Sequence, residues 1–463
     1  MKHSDLLLSV TLLVLTSLVQ VSTIAGNTIV NAKIDRIIDL SSQLVKITER
    51  IHIEESVGIY KLLIEPRHKT RLSLIDATIE GKSLQLLERP DGSYDVDLTG
   101  LTAKPLIVTT IFTRLLQPYP AEIAQDERQL VRYDGLQATL SPYLTKTTTT
   151  KIKLPPGSRL ESFTRASKMT TGTNKLTYGP FKDIQPRQAD ELSIHFENNS
   201  PFVAVTNLLR TIEVSPWARS IYVVNQVRVA HVGAKLKGPF SRIDYQRDHM
   251  NGVSSVKNLP ATLPRAATNI FYRDGIGNIS TSNVRQTMST TLVNLKPRFP
   301  LFGGWGTDFS LGYKLPASEF INQPISGDNH RLSISFADTL YDNMLIDEAT
   351  VRITLPAGAS DIEIKGLITG CDRLEDERSY SYLDVIGRPV VVLRKSNLVS
   401  QHFEGKPLVI RYNYNRLYMA QEPLLLLLAS FGLMVLFMIW SKLNSNSNVA
   451  SLNVMHGGKF KSD

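Results

Sequence analysis

The chain has 463 residues, 42% of them hydrophobic, and carries 52 Lys and Arg against 43 Asp and Glu for a formal net charge of +9. That length is enough for two or three domains. The basic residues are spread along the chain rather than gathered into a patch, which argues against nucleic-acid binding. Cys371 is the only cysteine, which excludes an intrachain disulfide, so an ectodomain built from this chain must be stable through burial alone.

At the N-terminus Lys2 and His3 precede an apolar run, residues 6–21, and then the small residues Ser22, Thr23, Ala25 and Gly26. This is the pattern of a secretory signal peptide over 1–25, with an uncleaved anchor as the alternative. From Asn27 onward the periodicity is mostly that of strands. Residues 44–53 and 106–112 are β-branched runs of strand length, and turn signals such as Asp91-Gly92, Pro155-Pro156-Gly157 and Ala357-Gly358 separate such runs, as in all-β sandwiches.

The chain also repeats itself. Lys151-Ile152-Lys153-Leu154-Pro155-Pro156-Gly157 resembles Arg352-Ile353-Thr354-Leu355-Pro356-Ala357-Gly358. In the same order, residues 178–180 have a loose counterpart in 382–389, residues 192–196 are echoed by 408–412, and 44–53 by 223–232. The expectation is an all-β region of two related β-sandwich-like domains in tandem, 26–213 and 214–416, joined near 211–219. Chance similarity of strand-plus-turn sequence is the competing explanation.

Motifs for catalysis are scarce: there is no His-Glu-x-x-His, no Gly-x-Ser-x-Gly, no phosphate-cradling Gly-x-x-x-x-Gly-Lys and no Cys-x-x-Cys. Asp95-Val96-Asp97 has a spacing used to hold divalent ions, but it alternates with Val96 and Leu98 as a half-exposed strand does. Asn198-Asn199-Ser200 and Asn278-Ile279-Ser280 are N-glycosylation acceptors by rule, or else unmodified turn asparagines; Pro201 makes the first the poorer acceptor. Between Lys296 and Gly306, two prolines and three glycines surround Phe299, Phe302 and Trp305. Such a constrained aromatic loop is a candidate partner-docking surface, with packing inside its own domain as the alternative. Cys371 is read as a small buried hydrophobe, against a free thiol.

Residues 424–440 contain no charged residue. With the flanking Tyr418 and Trp440 at headgroup level, they read as one transmembrane helix, 417–441, leaving a short tail, 442–463. A buried core helix is the alternative. Ser430 and Gly432 are the small or polar interruptions, and a helix face including both is a candidate for packing against other helices, or else it faces lipid. The tail carries Lys442, Lys459 and Lys461 against Asp463, in keeping with a cytosolic location and a type I orientation. Lys459 and Lys461 also have the spacing of a dilysine retrieval signal for the endoplasmic reticulum; a solvated basic tail is the alternative.

Several segments in consistent order resemble the ribophorin I family. They include Tyr143-Leu144-Thr145-Lys146-Thr147, Tyr178-Gly179-Pro180-Phe181, Leu236-Lys237-Gly238-Pro239-Phe240, Tyr272-Arg273-Asp274-Gly275-Ile276-Gly277-Asn278, residues 297–305, and Met419-Ala420-Gln421-Glu422-Pro423. The resemblance implies a non-catalytic subunit of the oligosaccharyltransferase complex of the endoplasmic reticulum membrane, which N-glycosylates Asn-x-Ser/Thr in nascent chains from a dolichyl-diphosphate donor. It implies no cofactor in this subunit. The partners it implies are other subunits of that complex, among them a multi-span catalytic subunit with a Trp-Trp-Asp motif and a divalent metal, together with nascent polypeptides and the translocon. The tryptophans here, Trp217, Trp305 and Trp440, are not adjacent. The sequence departs from the animal form, whose long cytosolic domain is linked to ribosome contact, and is nearer the short fungal form. The residues alone leave two other readings open, a single-pass cell-surface adhesion or receptor ectodomain and a luminal enzyme acting through Asp95 and Asp97.

Overall fold

The computed structural model describes residues 29–54, 58–100, 104–247, 252–280, 283–322, 328–380 and 386–455, the side chains of 444–455 left aside. The leader expected at 1–25 and the tail lysines Lys459 and Lys461 lie outside these residues. The chain divides into two units. The first takes in the described residues up to Ser41, Val45–Leu115 and Tyr133–Phe196; the second takes in Ser42–Leu44, Leu116–Arg132 and the chain from Glu197 onward.

The strands that carry the first half are β1 (Val30–Asp39), β2 (Val45–Ile53), β3 (Leu72–Ile79), β4 (Leu106–Phe112), β5 (Leu130–Leu136), β6 (Leu144–Lys153), β7 (Leu160–Phe163), β8 (Lys175–Ile184) and β9 (Glu191–Glu197). Alternation decides which face each residue takes: along β1, Ile34, Arg36 and Ile38 point into the core while Lys33 and Ile37 point out. The main sheet contains the order β8-β6-β1-β2-β4-β3, and a smaller one contains β7-β9-β5. β1 pairs antiparallel with β2 and parallel with β6, Ile34 lying opposite Ile51 and Thr148. A parallel neighbour cannot be reached through a tight turn, so the chain between β2 and β6 returns through other strands.

The second half repeats that arrangement with β10 (Val203–Ser215), β11 (Ser220–His231), β12 (Thr268–Asp274), β13 (Gly306–Pro316), β14 (Asn329–Ile334), β15 (Leu345–Thr354), β16 (Ser360–Lys365), β17 (Arg388–Val399) and β18 (Leu408–Asn413). Its main sheet contains β17-β15-β10-β11-β13-β12 and its smaller sheet β16-β18-β14. Position for position this is the first half's order, including a parallel pair, here β10 with β15. The sequence echoes therefore mark equivalent strands: 151–158 and 352–359 close β6 and β15, 192–196 and 408–412 are β9 and β18, and 44–53 and 223–232 fall on β2 and β11. The loose counterpart at 382–389 lies partly outside the described residues.

The domain boundary differs from the expected 213/214. Residues 203–215 form β10, which pairs along its length with β11 and stands beside β15 at the centre of the second sheet. The segment 211–219 is thus part of a hairpin rather than a linker, and the units part after Phe196. Residues 216–219 only turn one strand into the next.

A buried arginine occupies the same register position in each repeat. Arg36 on β1 lies opposite Glu49 on β2 and Thr150 on β6; Arg210 on β10 lies opposite Asn225 on β11 and Val351 on β15. Arg36 reaches the Leu136 and Ala138 carbonyls at 2.9 and 3.2 Å and pairs with Glu49 at 3.2 Å. Arg210 is 0% exposed. It donates to Asp338 at 2.5 Å, to the Asn225 amide oxygen at 2.7 Å and to the Tyr313 hydroxyl at 3.1 Å. Tyr313 and Asn225 also donate to Asp338. Burial works against the Arg210 charge, and the Asp338 carboxylate beside it more than reverses this, so its pKa is raised above the ordinary arginine value.

After β18 the chain makes a 3-10 turn, Arg416–Ala420, capped by the Asn415 side chain, and enters helix α1 (Gln421–Met455). The apolar stretch Arg416–Leu443 is long and apolar enough to cross a membrane, and none of its most apolar window is buried in the chain. Its first residues, expected as helix from 417, are therefore a 3-10 turn rather than α-helix.

Candidate functional site

The aromatic loop between β12 and β13 is held by backbone. Leu236 N–H donates to the Gly303 carbonyl, Gly304 N–H to His231 and His231 N–H to Trp305. Gly303 approaches so closely that a Cβ there would lie 1.7 Å from the Ala234 carbonyl oxygen; no other residue fits. This puts Phe302 in a ring cluster with Phe240 at 5.4 Å, Trp305 at 5.5 Å and Tyr245 at 5.7 Å, and Phe299 against Trp305 at 5.9 Å. The Lys257 ammonium caps the Tyr245 ring at 5.3 Å. His231, beneath the loop, accepts from Gly233 N–H at Nδ1, which leaves Nε2 to donate to the Ser254 carbonyl at 2.7 Å. Burial lowers its pKa and favours this neutral ring.

Of the three loop residues read as a docking surface, Phe302 is buried and Trp305 packs against the unit's core; only Phe299, 43% exposed, presents a large area to solvent. Phe302 is corrected from contact residue to core residue, because its ring is surrounded by partners from residues 240–245 that no local pattern reveals. The segment Leu236 to Phe240, prominent in the family resemblance, was the available signal for these partners.

The two acceptor asparagines have opposite environments. Asn278 and Ser280 are exposed, Asn278 lying in a short strand, Asn278–Ile279, paired with β12. Asp274 holds the preceding turn, accepting from the Ile276 and Gly277 amides. The Arg298 guanidinium on Asp274 keeps that carboxyl well below the usual carboxylate range. Asn198 is 1% exposed, with its amide oxygen accepting from Ser200 and its amide nitrogen facing the Ser42 carbonyl. A glycan on that nitrogen has no space in the folded unit, which corrects the expectation for Asn198. Expression in a glycosylating host should give one endoglycosidase-sensitive band shift, abolished by Asn278→Gln and kept in Asn198→Gln; two shifts in the wild type would refute this.

Ser430 and Gly432 both lie on α1, but two positions apart they are about 200° apart around the axis, which corrects the expectation of one packing face that includes both. The Ser430 hydroxyl is satisfied within the helix, by the Leu426 carbonyl at 2.6 Å. Around Gly432 a Cβ would meet nothing within 4 Å, so this position is open to a neighbour; Ala429, one turn earlier, shares its face.

Asp95 and Asp97 alternate with Tyr94 and Val96 along the strand Tyr94–Asp97 and have separate partners, Arg89 at 2.6 Å and Thr99. Among the described residues no group of three or more His, Cys, Asp or Glu is placed to hold a metal ion. Cys371 is half-buried, packed against the second unit's core, and burial pushes its thiol up to about 11, which makes the nucleophilic thiolate scarce at neutral pH.

These features define a class of protein: two β-sandwich repeats of one topology followed by an apolar helix that, alone among the described residues, is long and apolar enough to cross a membrane. The chain belongs to the ribophorin I family, whose model matches residues 29–441 and so takes in both repeats and the apolar helix. It is similar to dolichyl-diphosphooligosaccharide–protein glycosyltransferase subunit 1B of Oryza sativa subsp. japonica, 35% identical over 85% of this chain and 87% of that protein. It is 34% identical to subunit 1B of Arabidopsis thaliana over 95% of this chain and 97% of that one. Subunit 1 of Caenorhabditis elegans is 35% identical over 89% of this chain and 72% of that one. Among solved structures, an M1 zinc metallopeptidase from Deinococcus radiodurans aligns over 45% of this chain and 42% of that one at 14% identity, with a TM-score of 0.25, too slight to define a shared fold.

Proposed function

We propose that this protein is subunit 1 of an oligosaccharyltransferase, a complex that moves a glycan from dolichyl diphosphate to asparagine in Asn-x-Ser/Thr. The observation that carries the reading is the family match across both repeats and the span, 29–441, together with relatives of that name covering nearly the whole chain. Within that complex the chain serves as a non-catalytic subunit. The separate engagement of Asp95 and Asp97 and the inward-packed aromatic loop support a structural role. The repeats lie in the lumen of the endoplasmic reticulum and present acceptor polypeptide to a multi-span catalytic subunit, and the tail lysines Lys459 and Lys461 serve retrieval. A cell-surface adhesion role is not favoured.

Purification of the tagged full chain in mild detergent should recover a multi-span subunit together with glycan transfer to an Asn-x-Thr peptide. Asp95→Ala should leave that transfer unchanged, and Gly432→Leu should reduce recovery of the partner several-fold while Ser430→Leu does not. A chain recovered alone, without transfer activity, would overturn the reading.

A further inference from the structure

The second unit has a cavity of about 630 Å³ where its chain passes into α1, within the size range of small-ligand sites. Its walls are Tyr412, Tyr414, Ile321 and Met419, with Arg219 and Arg416 among the lining residues. Both arginines are exposed. Among the described residues the lining holds no carboxylate. The wall is stiff: His330 stacks on Tyr412 at 5.5 Å and meets Tyr414 edge-on at 5.7 Å.

Three observations tie this cavity to a bilayer surface. Met419 lines it, and the apolar helix begins at Gln421. The junction is braced against the unit: Gly358 lies so close to Tyr418 that a Cβ there would meet its ring, and Arg388 pairs with Glu422 at 3.9 Å. The β10–β11 turn, which supplies Pro216 and Arg219 to the lining, exposes Trp217 at 54%, while Leu417 and Tyr418 are exposed at 78% and 41%. Exposed Trp, Tyr and Leu beside arginines, next to a span, have the composition of a membrane interface.

We propose that this cavity binds the phosphate headgroup of an anionic glycerophospholipid in the leaflet on the ectodomain side. Arg219 and Arg416 hold the phosphate, and Met419 with the tyrosine wall covers the upper, apolar part of the lipid. The cavity is thereby a lipid-reading foot that fixes the second unit at the bilayer surface. The inference rests on reading α1 as a membrane span but not on the glycosyltransferase assignment.

The test places the full chain in nanodiscs of phosphatidylcholine with a minority of phosphatidylinositol and counts retained lipids by native mass spectrometry. Wild type is expected to keep phosphatidylinositol in excess over its share of the bilayer. Arg219→Gln with Arg416→Gln should lower that retention about tenfold or more, the effect of removing charge-assisted hydrogen bonds. Ser318→Trp, which fills the cavity and keeps both arginines, should do the same, while Arg352→Gln, a surface arginine outside the cavity, should not. Unchanged retention in both cavity variants would overturn the proposal. So would displacement of the bound lipid by inorganic phosphate alone, which would make the site one for free anions. A chain that fails to enter nanodiscs would overturn it together with the span, whereas loss of glycan transfer in a chain that still selects the lipid would strike only the functional reading.

Discussion

Asp338→Ala is expected to destabilise the second unit by about 3–5 kcal/mol, because it leaves the Arg210 charge buried without its counter-ion. Arg210 is fully enclosed, and Asp338 is the carboxylate its guanidinium touches. The surrounding Asn225 and Tyr313 add dipoles, which cannot replace a full charge in a low-dielectric core. Asp338→Asn should fall between the wild type and the alanine variant. Arg210→Met combined with Asp338→Leu should recover much of the loss, since removing both charges removes the burial cost as well. The measurement is the denaturant midpoint of the second unit within the full chain, and a single variant within about 0.5 kcal/mol of wild type would mean that the pair is not enclosed in solution.

Gly303→Ala should cost about 3 kcal/mol, the upper end for overpacking, because the obstacle is the Ala234 backbone carbonyl rather than a side chain that can move aside. Gly304→Ala is the control. Its φ of +82° also suits glycine, but the nearest atom, the Lys235 Cγ, is 3.4 Å away and flexible. Only the left-handed conformation is penalised there, by about 1–2 kcal/mol. The Gly303 variant should also redshift Trp305 emission as the ring cluster opens to water. Equal effects at the two glycines would show that the loop is not pressed on residues 234–236.

The paired arginines explain why the repeat was visible in sequence only in part. The Leu-Pro-x-Gly endings of β6 and β15 are local, as are the strands echoed at 192–196 and 408–412. Arg36 and Arg210 are equivalent only through register, each facing its hairpin partner and a parallel strand far along the chain. The balancing acid moves between repeats, from Glu49 on the neighbouring strand to Asp338 on a loop. No window of sequence contains such a substitution. The domain boundary has the same origin: β11 echoes β2 in sequence, but β10 shares no local motif with β1, and only its pairing with β11 and β15 makes it the first strand of the second repeat.

Strand periodicity, turn residues and the uncharged apolar run of the helix depend on neighbours within a few residues, so the sequence by itself determined an all-β, repeated chain with an apolar helix near its C-terminal end. Whether a given aromatic or asparagine faces solvent depends on what lies across from it. Phe302 is core because Phe240 and Tyr245 close over it, Asn198 is sealed by Gln129 and Ser42, and Asn278 remains open. The helix adds a geometric case: Ser430 and Gly432 are close in sequence and far apart around its axis. These outcomes, with the cavity at the foot of the second unit, were decided by tertiary structure, because burial and long-range pairing bring together side chains that the chain keeps tens or hundreds of residues apart.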